Sequence, residues 1–437
     1  MAVAGTAGPG ADGGTWDVLV VGGGPAGSAA ALAVLRSRPA LRVLVVDAGG
    51  LGRDKTCGDA VAAEAFDLAA GLGVRGLADG HPEVPRLRLV GPAGREVAHV
   101  PGRPARVIPR RVLDERLARA AQAAGAVFVH DRVRSAECDP AAGRTAGRSA
   151  GRVSRATRPE PGPAAAPPEP GRGAGIGAVQ VVGRRGSWSA AVVIGADGVH
   201  STVRRALGLH RNAPTRTGIA LRAYAPDLFG EQLLIGVAEG WPSYAWSFPI
   251  GDGRANIGFG VRLDRLPPGE PGWLRRRLGE LLPGPAAALE EDTVRTAHLP
   301  FVTGRVHQPD GPRLLAGDAA ALVDPLTGEG IWYALESGRL AGRAAVCALD
   351  AGDPGSAGAL LRRSMRRRLG LHLALAGAAG AATGARPSLV DLAVDATTAD
   401  SAAFDDLTRF SLAGGLPGPR LIGRLAVAAL AGRQHRP

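Results

Sequence analysis

Two glycine-rich segments carry the residue types best suited to chemistry in this chain. In the first, an apolar run leads into Gly22, Gly24 and Gly27, spaced as G-x-G-x-x-G, and the next apolar run ends in Asp47. Such glycines let the backbone turn tightly against a pyrophosphate, whose charge the following helix N-terminus stabilises. A carboxylate at the position of Asp47 can accept hydrogen bonds from ribose hydroxyls. The strand–helix–strand context therefore predicts a dinucleotide-binding βαβ unit.

The second segment, Gly317–Ile331, follows a short apolar strand. Asp318 stands where that strand ends, so its side chain points into the crevice where open α/β sheets bind ligands. Its carboxylate suits the ribityl hydroxyls of a flavin, although it could instead cap the helix-compatible stretch that follows. Gly328, Gly330 and Ile331 would bring backbone N–H groups to the pyrimidine edge of the ring. Together the two segments predict the two ends of an FAD site.

The rest of the pattern indicates an α/β fold, α+β overall, with a Rossmann-like FAD-binding domain. The parts expected are a flexible tail (1–15), a split FAD-binding domain (16–214 and 306–350) with a disordered insertion (140–175), a β-rich substrate domain (215–305) and a C-terminal helical region (351–437). The insertion is rich in Gly, Pro, Ala, Arg and Ser and has no hydrophobic period, which is typical of disorder.

Several local elements complete this prediction. Arg110–Ala124 has the period of an amphipathic helix, and Val127–Val133 is a returning strand. Ala26, in the first glycine turn, and Val133, at the strand's end, are candidate cofactor contacts. The Ala/Gly-rich stretch Leu369–Ala382 predicts a packed helix and not a membrane span.

The motifs resemble the geranylgeranyl reductase family of FAD-dependent oxidoreductases, within the wider group that shares the p-hydroxybenzoate hydroxylase fold. Four segments carry the resemblance over roughly residues 15–350: Gly22–Gly27, Lys55–Gly58, Gly195–Ser201 and Gly317–Gly330. A fifth is more specific, because Pro242–Pro249 resembles the P-x-Y-x-W-x-F-P signature that these reductases place beside the prenyl chain.

The resemblance implies roles for particular side chains. It places Cys57 and Gly58 beside the flavin, where the thiol would gate substrate entry, relay a proton or simply contact FAD. Arg110 matches the arginine of the family's R-x-x-L-D pattern, an expected cofactor contact, with Arg111 as its rival.

Tyr244, Trp246 and Phe248 alternate along the fifth segment, so in a strand they share one face. They predict a flat apolar wall that binds an isoprenoid chain; the alternative is an ordinary stripe of core residues.

The implied reaction is reduction of isolated C=C bonds in a polyprenyl or geranylgeranyl lipid or a menaquinone side chain, with hydride from flavin N5. Cys57, Tyr244 or a held water would supply the proton, and NAD(P)H or a reduced partner protein the electrons. The alternative on the same fold is an FAD-dependent monooxygenase that hydroxylates an aromatic or polyketide substrate.

The chain carries a net charge of +12, which favours anionic partners. No nucleic-acid motif accompanies the charge, so we expect no nucleic-acid partner. The arginines of Arg362–Arg368 and the helix Pro419–Gly432 suit an anionic membrane surface; a solvated helix face is the alternative. Three cysteines without metal or disulfide spacing fit a reducing cytoplasm, with peripheral contact at the inner membrane face as a further expectation.

Overall fold

A computed structural model describes residues 15–138, 178–238, 243–302, 307–412 and 414–434, with helical side chains as far as residue 428. The predicted insertion 140–175, and the predicted tail except Thr15, lie outside these residues. The strands are β1 (Thr15–Val21), β2 (Val43–Asp47), β3 (Ala60–Val61), β4 (Glu83–Val84), β5 (Arg86–Val90), β6 (Glu96–His99), β7 (Ala105–Val107), β8 (Val127–His130), β9 (Ser135–Cys138), β10 (Val179–Val182), β11 (Ser187–Gly195), β12 (Thr217–Pro226), β13 (Gln232–Val237), β14 (Ser243–Pro249), β15 (Arg254–Arg262), β16 (Arg295–Pro300) and β17 (Arg313–Leu315).

The α-helices connect and cover these strands. They are α1 (Pro25–Ser37), α2 (Ala63–Gly71), α3 (Arg110–Ala123), α4 (Thr202–Ala206), α5 (Trp273–Leu281), α6 (Pro283–Ala287), α7 (Ile331–Asp350), α8 (Ala357–Ala385), α9 (Ser388–Thr398), α10 (Ser401–Leu412) and α11 (Pro419–Gln434).

The first sheet has the order β8-β2-β1-β11-β10-β9, and β17 also pairs with β11. Strands β8, β2, β1, β11 and β17 run parallel, whereas β10 pairs antiparallel with both of its neighbours, β11 and β9. The carboxyl ends of parallel strands meet at one edge of the sheet. At this edge β2 ends in Asp47, and the chain continues from β1 into Gly22, from β11 into Ala196 and from β17 towards Gly317. The topology thus brings both glycine-rich segments together, and the α/β fold class is confirmed.

The second sheet has the order β16-β12-β15-β14-β13-β5-β6. One of its faces packs on α5 through Leu274 and Leu278, and the other carries Trp246 and Phe248. Strands β5 and β6 come from before residue 215, yet β5 pairs with β13. The β-rich unit therefore includes strands that lie outside the predicted span 215–305, because hydrogen bonding and not chain continuity defines a sheet. The domain division as a whole stays a prediction.

Helices α8 to α11 follow α7 and form the C-terminal part. The stretch Leu369–Ala382 lies within α8, where Leu369, Leu373 and Ala376 are buried. Within the described ranges, no helix combines the length and apolarity needed to cross a bilayer.

Two local predictions need correction. Strand β8 ends at His130, so Val133 lies in the loop that follows. The stretch after Gly317 forms only one 3₁₀ turn, Gly317–Ala320. Ala321 then adopts φ 55°, a left-handed conformation that ends helical geometry.

Candidate active site

The three glycines of the first segment do different work. A β-carbon at Gly22, which has φ 102°, would lie 2.4 Å from the carbonyl oxygen of Ala196, and one at Gly27 would lie 1.8 Å from that of Gly22. These two glycines therefore serve close backbone packing. A β-carbon at Gly24 would meet nothing nearer than Oδ2 of Asp114 at 3.8 Å. Gly24 faces open space, which is the room that a pyrophosphate requires.

The N-terminus of α1 opens onto the same space. Its N-cap, Gly24, supplies no side-chain hydrogen bond, so the first turn keeps donors for an anion. Beside it, Asp47 accepts from the backbone N–H of Gly23 through Oδ2 and of Gly49 through Oδ1, both at 2.8 Å. These bonds fix the carboxylate, and each oxygen keeps a lone pair for a ribose hydroxyl. The residues present fit an adenine dinucleotide.

The second segment, Gly317–Ile331, lies on the other side of this site; we call the two glycine-rich segments together the cradle. Gly317, with φ 58°, donates its N–H to Ser337 Oγ at 2.8 Å, which ties the end of β17 to α7. Asp318 lines the cavity. The 3₁₀ turn that contains it has no side-chain cap, so the alternative role of Asp318 as a helix cap does not apply. Its contact with ribityl hydroxyls remains a prediction.

A cavity of about 1080 Å³ joins these segments, a volume slightly above the usual range of roughly 300–1,000 Å³ for cofactor and ligand sites. Every predicted site residue except Gly27 lines it. The lining includes Gly22, Gly24, Ala26, Asp47, Cys57, Gly58, Arg110, Val133, Tyr244, Trp246, Phe248, Asp318, Gly328, Gly330 and Ile331.

The aromatic strand β14 presents its three rings to the cavity in a row. The Tyr244 and Trp246 ring centroids lie 5.9 Å apart, and those of Trp246 and Phe248 lie 6.3 Å apart with an interplanar angle of 29°. A β-carbon at Gly58 would lie 3.2 Å from Cε2 of Phe248, so the Cys57–Gly58 loop packs directly on this wall. The rings both line the cavity and belong to a core cluster, so both interpretations of the stripe apply. Pro242 lies outside the described residues.

The structure separates Arg110 from Arg111. Arg110 is 6% exposed and forms a bidentate ion pair with Asp114, with both N–O distances 2.7 Å. Arg111 is exposed and does not line the cavity. Although burial lowers the pKa of Arg110, the Asp114 carboxylate beside it contributes to raising that pKa overall. Arg110 therefore keeps its positive charge where it lines the cavity.

Cys57 and Tyr244, the predicted proton donors, are both held protonated. Burial raises the pKa of the Cys57 thiol, and the Arg110 charge offsets this only in part. Burial and the nearby Glu329 carboxylate raise the pKa of the Tyr244 phenol. The Tyr244 hydroxyl donates to the carbonyl oxygen of Thr327 at 2.5 Å, so its proton points at the turn before α7.

Glu329 is a titratable group that the sequence reasoning missed. It lines the cavity and accepts from the backbone N–H of Trp332 at 2.8 Å. Burial raises its pKa to about 7, although the N–H groups of Trp332 and Ile331 act against this. The sequence signal that could have identified Glu329 is an acidic residue between two glycines at the start of a helix.

A second missed group is Asp59, which is fully buried and has φ 64°. Its Oδ2 accepts from the Tyr224 hydroxyl and from Nδ2 of Asn256, both at 2.7 Å, and its Oδ1 accepts from the N–H of Arg110 at 3.2 Å. Burial raises the pKa of Asp59 to about 6, against these hydrogen bonds. The network joins the loop after β2 to the second sheet, and nothing in the sequence near Asp59 pointed to its distant partners.

The turn before α7 is anchored through Asp324. Its buried carboxylate accepts from the N–H groups of Leu326 at 2.7 Å and Thr327 at 2.9 Å, and from the Tyr333 hydroxyl at 3.0 Å. Nε2 of His372, on α8, contacts that hydroxyl. The predicted flavin-ring turn is thus fixed to the C-terminal helices.

Those helices extend the cavity away from the glycine cradle. Their lining side chains are mainly apolar and include Leu375, Ala379, Phe404, Leu407, Leu421 and Leu425. The site is therefore long, with phosphate-binding backbone at one end and an apolar channel at the other.

A βαβ cradle, a second glycine turn at the sheet switch point and an adjoining β-sheet with an aromatic face define an FAD-dependent oxidoreductase. No family model matches the chain. It is 33% identical over 348 residues to a menaquinone reductase of Mycolicibacterium smegmatis, covering 74% of this chain and 75% of that protein. It is 32% identical over 356 residues to digeranylgeranylglycerophospholipid reductase 1 of Methanopyrus kandleri, covering 77% and 82%.

Among solved structures, a geranylgeranyl bacteriochlorophyll reductase-like protein of Thermoplasma acidophilum superposes with a TM-score of 0.71 at 20% identity, covering 94% of this chain and 96% of that one. This likeness shows the shared fold. On the sequence identities the chain belongs to the geranylgeranyl reductase family of FAD-dependent oxidoreductases, and the resemblance seen in its motifs is confirmed.

Proposed function

We propose that the protein reduces isolated C=C bonds in the prenyl chain of a geranylgeranyl lipid or of a menaquinone. The observation that carries the proposal is the row of Tyr244, Trp246 and Phe248 along a cavity that continues between C-terminal helices, where its lining is mainly apolar. A long, flexible isoprenoid chain fits such a channel, because its only strong interaction is burial of apolar surface. The names of the two relatives support the same substrate class.

The residues of the cradle have matching roles in this proposal. The turn at Gly22–Gly27 and the N-terminus of α1 bind the pyrophosphate, and Asp47 binds the adenosine ribose. Asp318 contacts the ribityl chain, and the backbone at Gly328–Ile331 contacts the flavin ring. Reduced FAD bound there supplies the hydride.

Reduction adds one hydride and one proton across the double bond, so the protein must deliver a proton to the second carbon. Groups that line the cavity and can carry this proton include the Cys57 thiol, the Tyr244 phenol and, below its pKa of about 7, the Glu329 carboxyl. Glu329 is the strongest acid of the three at neutral pH. The apolar lining keeps bulk water away from a carbon that develops cationic character.

An anaerobic reoxidation experiment tests the proposal. The enzyme is reduced with dithionite in the absence of oxygen and mixed with a menaquinone that has an unsaturated side chain or with a geranylgeranyl lipid. The flavin should reoxidise. After any quinol has been returned to the quinone in air, mass spectrometry should show a side chain heavier by two hydrogens per turnover. A substrate that reacts only when oxygen is present, and gains an oxygen atom, would reject the reductase and support the monooxygenase.

The electron donor is a separate question. We propose NAD(P)H that binds transiently or a reduced partner protein, since the sequence shows no second dinucleotide fingerprint. Stopped-flow reduction of the bound flavin by NADH or NADPH decides between them: rapid bleaching identifies the nucleotide, and no bleaching indicates a protein donor.

We also propose that the enzyme works in the cytoplasm and contacts the inner face of the membrane through α11 and the loop before it. Leu416, Ile422 and Val427 are 49%, 57% and 61% exposed, and Arg420 is exposed beside them, while Leu421 and Leu425 line the cavity on the same helix. Apolar side chains among basic ones suit an anionic interface. In the arginine cluster at 362–368, Arg362 pairs with Asp310 and Arg368 with Glu336, whereas Arg363, Arg366 and Arg367 are exposed.

Vesicle flotation tests this contact. The wild-type protein should float with phosphatidylglycerol vesicles, and an Ile422→Ser/Val427→Ser variant should not. Val182→Ser, at an exposed valine of the first sheet, is the matched control. Equal flotation of all three would reject the contact.

A further inference from the structure

Asn256 lies at the junction between the Cys57–Asp59 loop and the aromatic strand. It is fully buried on β15, where it stands opposite Tyr224 of β12 and Phe248 of β14. Its amide makes three hydrogen bonds, all to groups that belong to one or other side of this junction.

The three bonds determine the orientation of the amide. Nδ2 donates to the carbonyl oxygen of Cys57 at 2.8 Å and to Oδ2 of Asp59 at 2.7 Å. Oδ1 accepts from Nε1 of Trp246 at 2.9 Å. The Cys57 carbonyl and the Asp59 carboxylate can only accept hydrogen bonds, so they must face the NH₂ group of the amide. The indole N–H of Trp246 can only donate, so it must face the amide oxygen. The flipped amide would lose all three bonds.

The indole of Trp246 has little freedom once this bond forms. Its Cζ2 would lie 2.2 Å from a β-carbon at Gly258, so the ring packs directly against this glycine of the neighbouring strand. Phe248 stacks on it from the next position of the same face. Gly258 allows the ring to lie there, and Asn256 fixes its in-plane direction.

We propose that Asn256 is a positioning residue for binding of the prenyl chain, because it holds Trp246 in the orientation that forms the prenyl-binding wall and ties that wall to the Cys57 loop. Asp59 helps to orient the amide of Asn256, because its Oδ2 accepts hydrogen bonds both from the Tyr224 hydroxyl and from Nδ2 of Asn256. The part of this proposal that concerns prenyl binding rests on the proposed prenyl reduction, whereas the part that concerns the orientation of the indole does not.

The test uses the FAD-bound enzyme and the variants Asn256→Leu, Trp246→Phe and their combination. Leucine matches the shape of asparagine and cannot bond, and phenylalanine keeps an aromatic ring without the N–H. We expect each single variant to raise KM for the unsaturated menaquinone about tenfold, with a smaller change in kcat. Because both remove the same bond, the double variant should be no worse than the worse single one. Multiplicative effects would overturn the proposal.

A spectroscopic readout is independent of the substrate. The chain has six tryptophans, so the FAD-bound protein labelled with ¹⁵N at the indole nitrogen gives at most six indole N–H signals. The signal that Trp246→Phe removes belongs to Trp246. It should move upfield in the proton dimension in Asn256→Leu, since the N–H loses its acceptor. An unshifted signal would overturn the positioning role.

Ser247→Ala is the matched control, because Ser247 is buried on the opposite face of β14; it should leave both KM and the Trp246 signal unchanged. If Asn256→Leu does not fold, Trp246→Phe alone decides, and an unchanged KM in that variant rejects the proposal. A shifted Trp246 signal without any prenyl reduction would reject the proposed function and leave the positioning intact.

Discussion

A β-carbon on Gly338 would lie 2.1 Å from the carbonyl oxygen of Ala26, so helices α7 and α1 touch backbone to backbone. Each helix begins at one of the two glycine-rich turns. Their contact therefore sets the spacing between the pyrophosphate end and the flavin end of the cradle. The contact recurs one turn later, where a β-carbon on Gly342 would lie 2.5 Å from the carbonyl oxygen of Ala30.

We expect Gly338→Ala to lower both the melting temperature and the FAD content. Overpacking against backbone costs about 1–3 kcal/mol, which exceeds the roughly 1 kcal/mol that alanine gains over glycine in a helix. Gly377→Ala is the control, because Gly377 lies in α8 and has no neighbour within 4 Å of its β-carbon position. A Gly338→Ala protein with normal flavin content and stability would contradict the close contact.

Gly24→Val should give a folded protein without FAD. Gly24 has φ −72° and ψ −169°, an extended conformation that valine also adopts. A β-carbon at this position would not clash with any protein atom, since the nearest one would be 3.8 Å away. The branched side chain would instead occupy the space for the pyrophosphate. The measurements are flavin absorbance per protein and the melting temperature of the flavin-free protein, which should match that of flavin-free wild type. Full flavin content in this variant would reject the cradle assignment.

The contrast between these two glycines shows how much the sequence could predict. The spacing of Gly22, Gly24 and Gly27 is a local pattern, so it predicted the turn, the helix and the acid that closes the unit. Period-two alternation likewise placed the three aromatic side chains on one face. The division of labour among the glycines, and the packing of α7 on α1, depend on distances between segments that no local pattern encodes.

The missed residues have the same physical explanation. Asp59 and Asn256 are 197 positions apart, and neither lies in a pattern that names the other. Arg110 and Arg111 are identical side chains, and only the face of α3 that turns inward distinguishes them. Glu329 was visible within a motif, but its raised pKa follows from burial, which is a property of the assembled cavity.

Glu329 should make the stability of the flavin-free protein depend on pH. Its pKa rises from 4.5 to about 7 in the folded state, so the folded protein binds this proton more tightly than the unfolded chain. The corresponding stability is fully present below pH 4.5 and is lost as pH rises through about 7. The loss amounts to roughly 3 kcal/mol at most, at 1.36 kcal/mol per pKa unit.

Chemical denaturation of wild type and Glu329→Gln between pH 4.5 and 8 measures this effect. The wild type should lose stability relative to the variant across that window, because glutamine does not titrate. Asp59, with its pKa raised to about 6, contributes a similar slope to both proteins and cancels in the comparison. Parallel profiles would show that the Glu329 carboxyl is not buried as described.

Trp246→Ala separates the two candidate reactions on this fold. The side chain is 5% exposed and lies between Tyr244 and Phe248, away from the backbone that binds the pyrophosphate. Its loss should leave FAD bound and weaken binding of the prenyl chain by about 1–3 kcal/mol. This corresponds to a roughly ten- to hundredfold lower kcat/KM. The measurement is the anaerobic reoxidation rate of reduced flavin against the concentration of a geranylgeranyl lipid, which has no quinone ring to accept the electrons. A monooxygenase would show no anaerobic reoxidation in either protein, so an effect of Trp246→Ala that appears only with oxygen, on formation of a hydroxylated product, would reject prenyl reduction.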